Sequence, residues 1–205
     1  MSPARKKGVH DAQFFEWGAP VYDLVMPAAD RSDLAAGLAA AERPVERVLD
    51  VGGGTGRAAS ALARDTREVA GRDVTVVDAS AGMLAEGRAN ELPAVRGDAA
   101  RLPFRDDSVD AVVVVDALHH FPDRDGALAE ARRVLRPGGV LVVRDFDPET
   151  LRGRLLVAAE HAVGFASAFD APDDCAARLA HAGLDARVLD RGFTYTVVGI
   201  EPGPT

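Results

Sequence analysis

Five consecutive apolar residues, Ala111-Val112-Val113-Val114-Val115, bounded by Asp110 and Asp116, constrain this chain more than any other stretch. A β-branched run without polar alternation reads as a strand covered on both faces, and such strands belong to parallel sheets inside a domain. Similar runs recur from Val45 to Val51, from Val74 to Asp78 and from Val140 to Val143, with a weaker one from Ala94 to Asp98. Helix-length stretches separate them. Arg57 to Arg64 is one, and Ala81 to Asn90, with Ser80 as its N-cap, is another. Asp125 to Leu135 puts Leu128, Ala131, Val134 and Leu135 on one face, and Pro137-Gly138-Gly139 is expected to stop it. The alternation predicts a doubly wound α/β sheet with right-handed crossovers. A ligand then belongs at the carboxyl ends of the strands, where the strand order switches.

The tail breaks the pattern. Pro172 to Gly183 reads as a helix with Ala176, Leu179 and Ala180 inward, followed by strands at Ala186–Asp190 and Phe193–Ile200. Only Arg191-Gly192 separates those two strands, so they must run antiparallel. The expected fold class is α/β, a seven-stranded sheet that is mostly parallel and ends in an antiparallel C-terminal hairpin. With 205 residues, 47% apolar and 27% charged, the chain suits one folded domain. Residues 1–44 are read as an N-terminal helical extension or lid, and 45–205 as a ligand-binding core.

Composition removes several function classes. Acidic residues outnumber basic ones 32 to 24, a net charge of −8, which is the wrong sign for a nucleic-acid partner. The basic cluster Arg5-Lys6-Lys7 reads as a solvated tail. A single cysteine, Cys175, excludes an internal disulfide or a cysteine-based zinc site. No apolar run is long enough for a bilayer span, and Lys6-Lys7 leads into Gly8-Val9-His10-Asp11 rather than an apolar leader. A cytoplasmic protein without membrane partners is expected.

The most informative stretch is Val48-Leu49-Asp50-Val51-Gly52-Gly53-Gly54-Thr55-Gly56-Arg57, a strand that runs through glycines into a helix. Bare backbone there lets a ligand lie close, and free amides at the helix start favour an anionic group. Arg57 and Ala59 spoil the G-x-G-x-x-G dinucleotide fingerprint, and no lysine follows for a phosphate loop. What stands instead is D-x-G-x-G-x-G. An acid at that strand end suits a ligand carrying an ammonium and a positive sulfonium rather than a pyrophosphate. Asp78 closes the second strand 22 residues past Gly56, where a carboxylate accepts from ribose hydroxyls. The plainer reading is a turn residue ahead of the Ser80 cap.

These features resemble the class I S-adenosylmethionine-dependent methyltransferases, in particular the small-molecule group that includes quinone-biosynthesis methyltransferases. The resemblance extends from about Val21 to Ile200 and rests on five motifs in order. They are Val48–Gly56, Val76–Leu84, Gly97–Phe104, Asp116–Phe121 and Arg133–Gly139. It implies a Rossmann-like fold, S-adenosyl-L-methionine as cofactor, and methyl transfer by in-line displacement to a small molecule. It further implies that Asp50, Gly52, Gly54 and Gly56 shape the site for the methionine end, and that Asp78 holds the ribose. Ala79 and Met83 would pack on the adenine, Asp98 and the Ala99 amide would meet its edge, and the backbone at Asp116 would face the ammonium. Read without the family, Met83 is plain core and Asp98 a loop carboxylate.

Alignment and exclusion of water carry most of such a reaction, and a base is needed only when the acceptor must lose a proton. His119 and His120 are the candidates, His119 the first, because His120 resembles a position that is often structural in this family. Asp116, His119 and His120 stand at i, i+3 and i+4, a spacing open to a divalent ion; the expectation is that no metal binds. Phe14, Phe15, Trp17 and Tyr22, with Phe146, Phe165 and Phe169 around the Pro148–Phe169 segment, are expected to enclose the acceptor. Phe14, Trp17, Tyr22 and Phe146 are the chosen substrate contacts. Two rivals stay open: a non-catalytic protein that binds the cofactor as effector or structural ligand, and a nucleotide-dependent oxidoreductase.

Overall fold

The structure is a computed structural model, and it describes residues 31–63, 73–87 and 92–203. The valine run read above forms β4 (Val109–Val115), in the middle of a seven-stranded sheet. On one side lie β1 (Arg47–Val51), β2 (Asp73–Asp78) and β3 (Ala94–Arg96), and on the other β5 (Leu135–Phe146), β7 (Thr194–Ile200) and β6 (Asp185–Asp190). The order is β3-β2-β1-β4-β5-β7-β6. Strands β1 to β5 pair in parallel, while β7 runs antiparallel to both β5 and β6, as the short Arg191-Gly192 connection requires.

Alternation along the central strands feeds two apolar clusters. Val112 and Val114 of β4 and Leu141 and Val143 of β5 point to one face; Ala111, Val113, Val140 and Val142 point to the other. Each such valine contributes roughly 1.5–3 kcal/mol by leaving water. Helices α4 (Arg124–Val134) and α6 (Pro172–His181) cover the first face, with Leu128, Ala131, Val134, Cys175 and Leu179. Helices α1 (Arg31–Leu38) and α2 (Arg57–Ala63) cover the second, with Leu34, Leu38, Ala58, Ala59 and Leu62. The part of the N-terminal extension within the described residues is therefore core: Leu34 and Leu38 are fully buried. No helix among the described residues is long and apolar enough to cross a membrane.

Several local expectations needed correction. Helix α4 begins at Arg124 on an Asp123 cap and stops at Val134, because Leu135 is already extended (φ −70°, ψ 136°). Pro137-Gly138-Gly139 does not end that helix. It makes an irregularity inside β5, between the pairs Val109↔Leu135 and Ala111↔Val140, with Gly138 at φ +76°. In α6 the buried positions are Pro172, Cys175 and Leu179, a strict i, i+3, i+7 stripe that leaves Ala180 exposed. Ser80 does cap α3 (Ala81–Gly87), its hydroxyl accepting from the Met83 amide at 3.2 Å. Asp110 is buried inside β4, where one oxygen accepts from the Glu46 and Arg47 amides and the other holds Arg43 and Arg136.

Candidate functional site

The sheet reverses its winding between β1 and β4, and their carboxyl ends open with that of β2 into a cleft of about 320 Å³. Its floor is the glycine loop. Gly52, Gly54 and Gly56 have φ of +73°, +56° and +80°, conformations that side chains rarely tolerate. A Cβ on Gly52 would come within 2.9 Å of Ala117 and the Phe121 ring, and one on Gly54 within 2.8 Å of Met83 Cε. Gly52 and Gly54 line the cleft; Gly56 lies behind it and turns the chain into α2.

Two acids anchor that loop. Asp78 accepts from the Gly54 amide on one oxygen (2.9 Å) and from the Ser80 amide on the other (2.8 Å). Both the functional and the plain reading of Asp78 thus describe one geometry: the acid that starts the turn also edges the cleft. Burial pushes its pKa up, against the pull of those amides. Asp50 is fully buried beneath the loop, with Oδ2 accepting from the Ala59 amide at 3.0 Å. Its Oδ1 has no hydrogen-bond partner among the described residues. Burial raises the Asp50 pKa to about 7.

The other expected cofactor contacts surround the same cleft: Ala79, Met83, Asp98, Ala99 and Asp116 all line it. Asp98 is exposed and takes the Ala100 amide at 2.9 Å. Asp116 follows β4 with φ +52°, a strained backbone that lets its carboxylate turn to Arg144 (2.6 Å). That ion pair removes Asp116 from the histidines. The three groups that do converge are His119, His120 and Glu160 of α5 (Leu151–Ala162), whose ligand atoms lie within 4.8 Å of one another.

Of the two histidines, His120 lines the cleft and His119 does not. His119 is buried behind it, Nδ1 at 2.6 Å from Asp145 Oδ1 and Nε2 at 3.7 Å from Glu160. Phe169 stacks on the His119 ring at 4.1 Å, and Phe165 leans on His120 at 5.3 Å. Burial disfavours charge on His119, but the Asp145 carboxylate and its hydrogen bond, with Glu160 and Asp116, raise its pKa overall. His120 is driven well below the usual range by burial and by the neighbouring His119 charge. Phe146, expected as a substrate contact, does not line the cleft: at the end of β5 its ring lies 6.1 Å from that of His119 and 5.2 Å from that of Phe193. Phe14, Phe15, Trp17 and Tyr22 lie outside the described residues. Reading the sequence missed Phe121 and Arg57 as cleft residues, and Asp145, Glu160 and Ser167 around the histidines. Phe121 stood in a quoted motif; the last three carried no local signal.

Residues 49–143 match the family model described as a methyltransferase domain. Over these residues the chain is similar to the S-adenosylmethionine-dependent methyltransferases. S-adenosylmethionine is the cofactor that this likeness implies. The unpartnered Asp50 oxygen and the bare glycine cradle fit it, since one offers an acceptor for an ammonium and the other leaves room where a Cβ would clash. The chain is 48% identical over 106 residues to a demethylmenaquinone methyltransferase of Beutenbergia cavernae, covering 51% of this chain and 42% of that one. It thus spans less than half the length of that relative. Its fold matches the crystal structure of an S-adenosylmethionine-dependent methyltransferase from Thermotoga maritima, with a TM-score of 0.75 at 25% identity over 92% of this chain and 99% of the other. It also matches a [4+2]-cyclase, with a TM-score of 0.70 at 17% identity over 95% and 96%. The methyltransferase fold alone therefore does not fix the reaction, which has to be argued from the site.

Proposed function

We propose that this protein transfers a methyl group from S-adenosylmethionine to a small, largely apolar acceptor of the quinol class, working in the cytoplasm. One observation carries the reading: the glycine cradle, Asp78 and the His120–Phe121 pair border a single cleft. The demethylmenaquinone methyltransferase relative supports the acceptor class. The net charge of −8 favours such a molecule over nucleic acid.

In this reading the Gly52 and Gly54 backbone, Asp50 and the backbone at Asp116 hold the methionine end. Asp78 accepts from the ribose hydroxyls, Ala79 and Met83 cover the adenine, and Asp98 with the Ala99 amide meets its edge. The cofactor supplies a methyl on positively charged sulfur, which leaves as a neutral thioether. Phe121 and the apolar walls exclude water and align the acceptor, with Phe14, Trp17 and Tyr22 as its roof. His120 takes the proton that the acceptor loses, and Phe146 steadies the histidines from behind.

Calorimetry tests the cofactor half. S-adenosylmethionine and S-adenosylhomocysteine should bind and NAD should not, and Asp78→Ala should weaken binding by about 1.5–3 kcal/mol, the worth of hydrogen bonds to a charged group. Tight binding of NAD would sink the methyltransferase reading. A short-chain demethylmenaquinol, incubated with the protein and the cofactor, tests the acceptor half by mass gain of one methyl.

A further inference from the structure

Behind the cleft, five polar side chains from four parts of the chain form a continuous series. Asp145 of β5 accepts from His119, whose other ring nitrogen faces Glu160 of α5 at 3.7 Å. Glu160 Oε2 accepts from the Ser167 hydroxyl, and that same hydroxyl oxygen lies 3.3 Å from His120 Nδ1. Ser167 is buried and rigidly held: the next amide, Ala168, donates to the His119 carbonyl at 2.8 Å, and Arg124 donates to the Ala168 carbonyl at 2.7 Å.

With Glu160 ionised beside a charged His119, proton counting along this series has one consistent solution. A serine hydroxyl has a single proton, and here it goes to Glu160. Glu160, beside His119, serves as a carboxylate with no proton to donate. At the Ser167 oxygen the contact with His120 is then a bond donated by the imidazole, so Nδ1 carries the hydrogen. We propose that Glu160 and Ser167 are positioning residues for His120: the Ser167 hydroxyl, oriented by Glu160, accepts from His120 Nδ1–H and leaves the basic lone pair on Nε2, in a ring that lines the cleft. This rests on the reading of His120 as the acceptor's base. The logic is that of any base held in one tautomer by a third group. As the acceptor's bond to the methyl forms and the sulfur–methyl bond breaks, the acceptor's proton passes to Nε2. The resulting imidazolium is linked through Ser167 to the Glu160 carboxylate.

The same atoms permit another occupant, a divalent ion held by His119, His120 and Glu160. Hydrogen bonding favours the relay, because the Ser167 hydroxyl already occupies Glu160 Oε2 and faces His120 Nδ1. Ring-nitrogen NMR of the ¹⁵N-histidine-labelled full chain, without cofactor, decides between them. Native His120 should be predominantly the Nδ1–H tautomer. Ser167→Ala and Glu160→Gln should shift it toward Nε2–H, while Ser167→Thr, which keeps the hydroxyl, should preserve it. A native Nε2–H tautomer, or an unchanged one in both variants, would overturn the proposal, and the native spectrum suffices if Glu160→Gln does not fold. One zinc per chain by elemental analysis, with the ring signals moving on addition of EDTA, would overturn it in favour of a metal site. S-adenosylhomocysteine calorimetry on the same samples keeps the two readings apart: absent binding removes the methyltransferase reading, whereas the tautomer alone decides the positioning one.

Discussion

Burial pulls His119 and His120 alike toward the neutral form, but at His119 the carboxylates of Asp145 at 2.6 Å and Glu160 at 3.7 Å oppose it. In the proposed reading His119, whose charged form Asp145 favours, serves the architecture and the neutral His120 the chemistry. His120→Ala should lower the methyl-transfer rate ~10²–10⁴-fold, the usual worth of a general base, with S-adenosylhomocysteine affinity preserved. His119→Ala should instead cost about 3–5 kcal/mol in urea unfolding, because Asp145 is left buried without its partner. The raised His119 pKa adds stability that is whole below the unfolded value of 6.5 and fades as pH rises through the folded one. Asp50 acts in the opposite sense. Its carboxyl ionises at 3.8 when unfolded and at about 7 when folded, so the folded state resists giving up that proton. Between those values the ligand-free protein loses stability as pH rises, by about 4 kcal/mol in all. The melting-temperature advantage of Asp50→Asn should accordingly be absent near pH 4, grow toward pH 7 and then level off. An ammonium bound at Asp50 reverses the preference, so the same variant should bind S-adenosylmethionine more weakly. A pH-independent difference between the two proteins would place the ionisation elsewhere.

At the scale of elements, what was legible in the sequence followed from repetition within a short window. The β1, β2, β4 and β5 strands are each covered on both faces, so each holds an apolar run that stands out unaided. The antiparallel ending followed from a connection too short for a crossover. The glycine loop was legible because D-x-G-x-G-x-G compresses a cradle, its acid and a helix start into a few residues. Boundaries were harder. Pro137-Gly138-Gly139 carries the composition of a helix stop, yet Leu135 had already turned extended, and the glycines serve backbone bonds to Glu42 and Glu201. Asp110 looked like the edge of a strand and is a buried staple between β4 and the residues entering β1. The ring of polar groups behind His120 was invisible for a different reason. Asp145, Glu160 and Ser167 lie 26 to 47 residues from the histidines they touch, and no periodicity links them. Only the packing of β5, of α5 and of the loop after it against the turn at Leu118–His120 brings them together.

Across the whole molecule, the N-terminal extension divides into a part that holds the fold and a part proposed to close over the cleft. Helix α1 buries Leu34 and Leu38 against the sheet, and Asp33 near its start lies 3.6 Å from Arg144. Arg144 in turn holds Asp116, which lines the cleft, so the chain enters α1 beside the site. The aromatic residues Phe14, Phe15, Trp17 and Tyr22 precede that point in sequence. A roof over the acceptor made from residues 1–30 follows as a proposal. Two truncations separate the roles. Removal of residues 1–30 should leave the melting temperature and S-adenosylhomocysteine affinity close to those of the full chain while abolishing methylation of a demethylmenaquinol. Removal of residues 1–38 takes away two fully buried leucines, each worth about 2–5 kcal/mol, and should yield a protein that no longer unfolds cooperatively. If the shorter truncation also lost its fold, the aromatics would be core and the roof would fall. If it methylated at the full rate, the acceptor would be enclosed by the cleft walls alone, with Phe121 as the aromatic that aligns it.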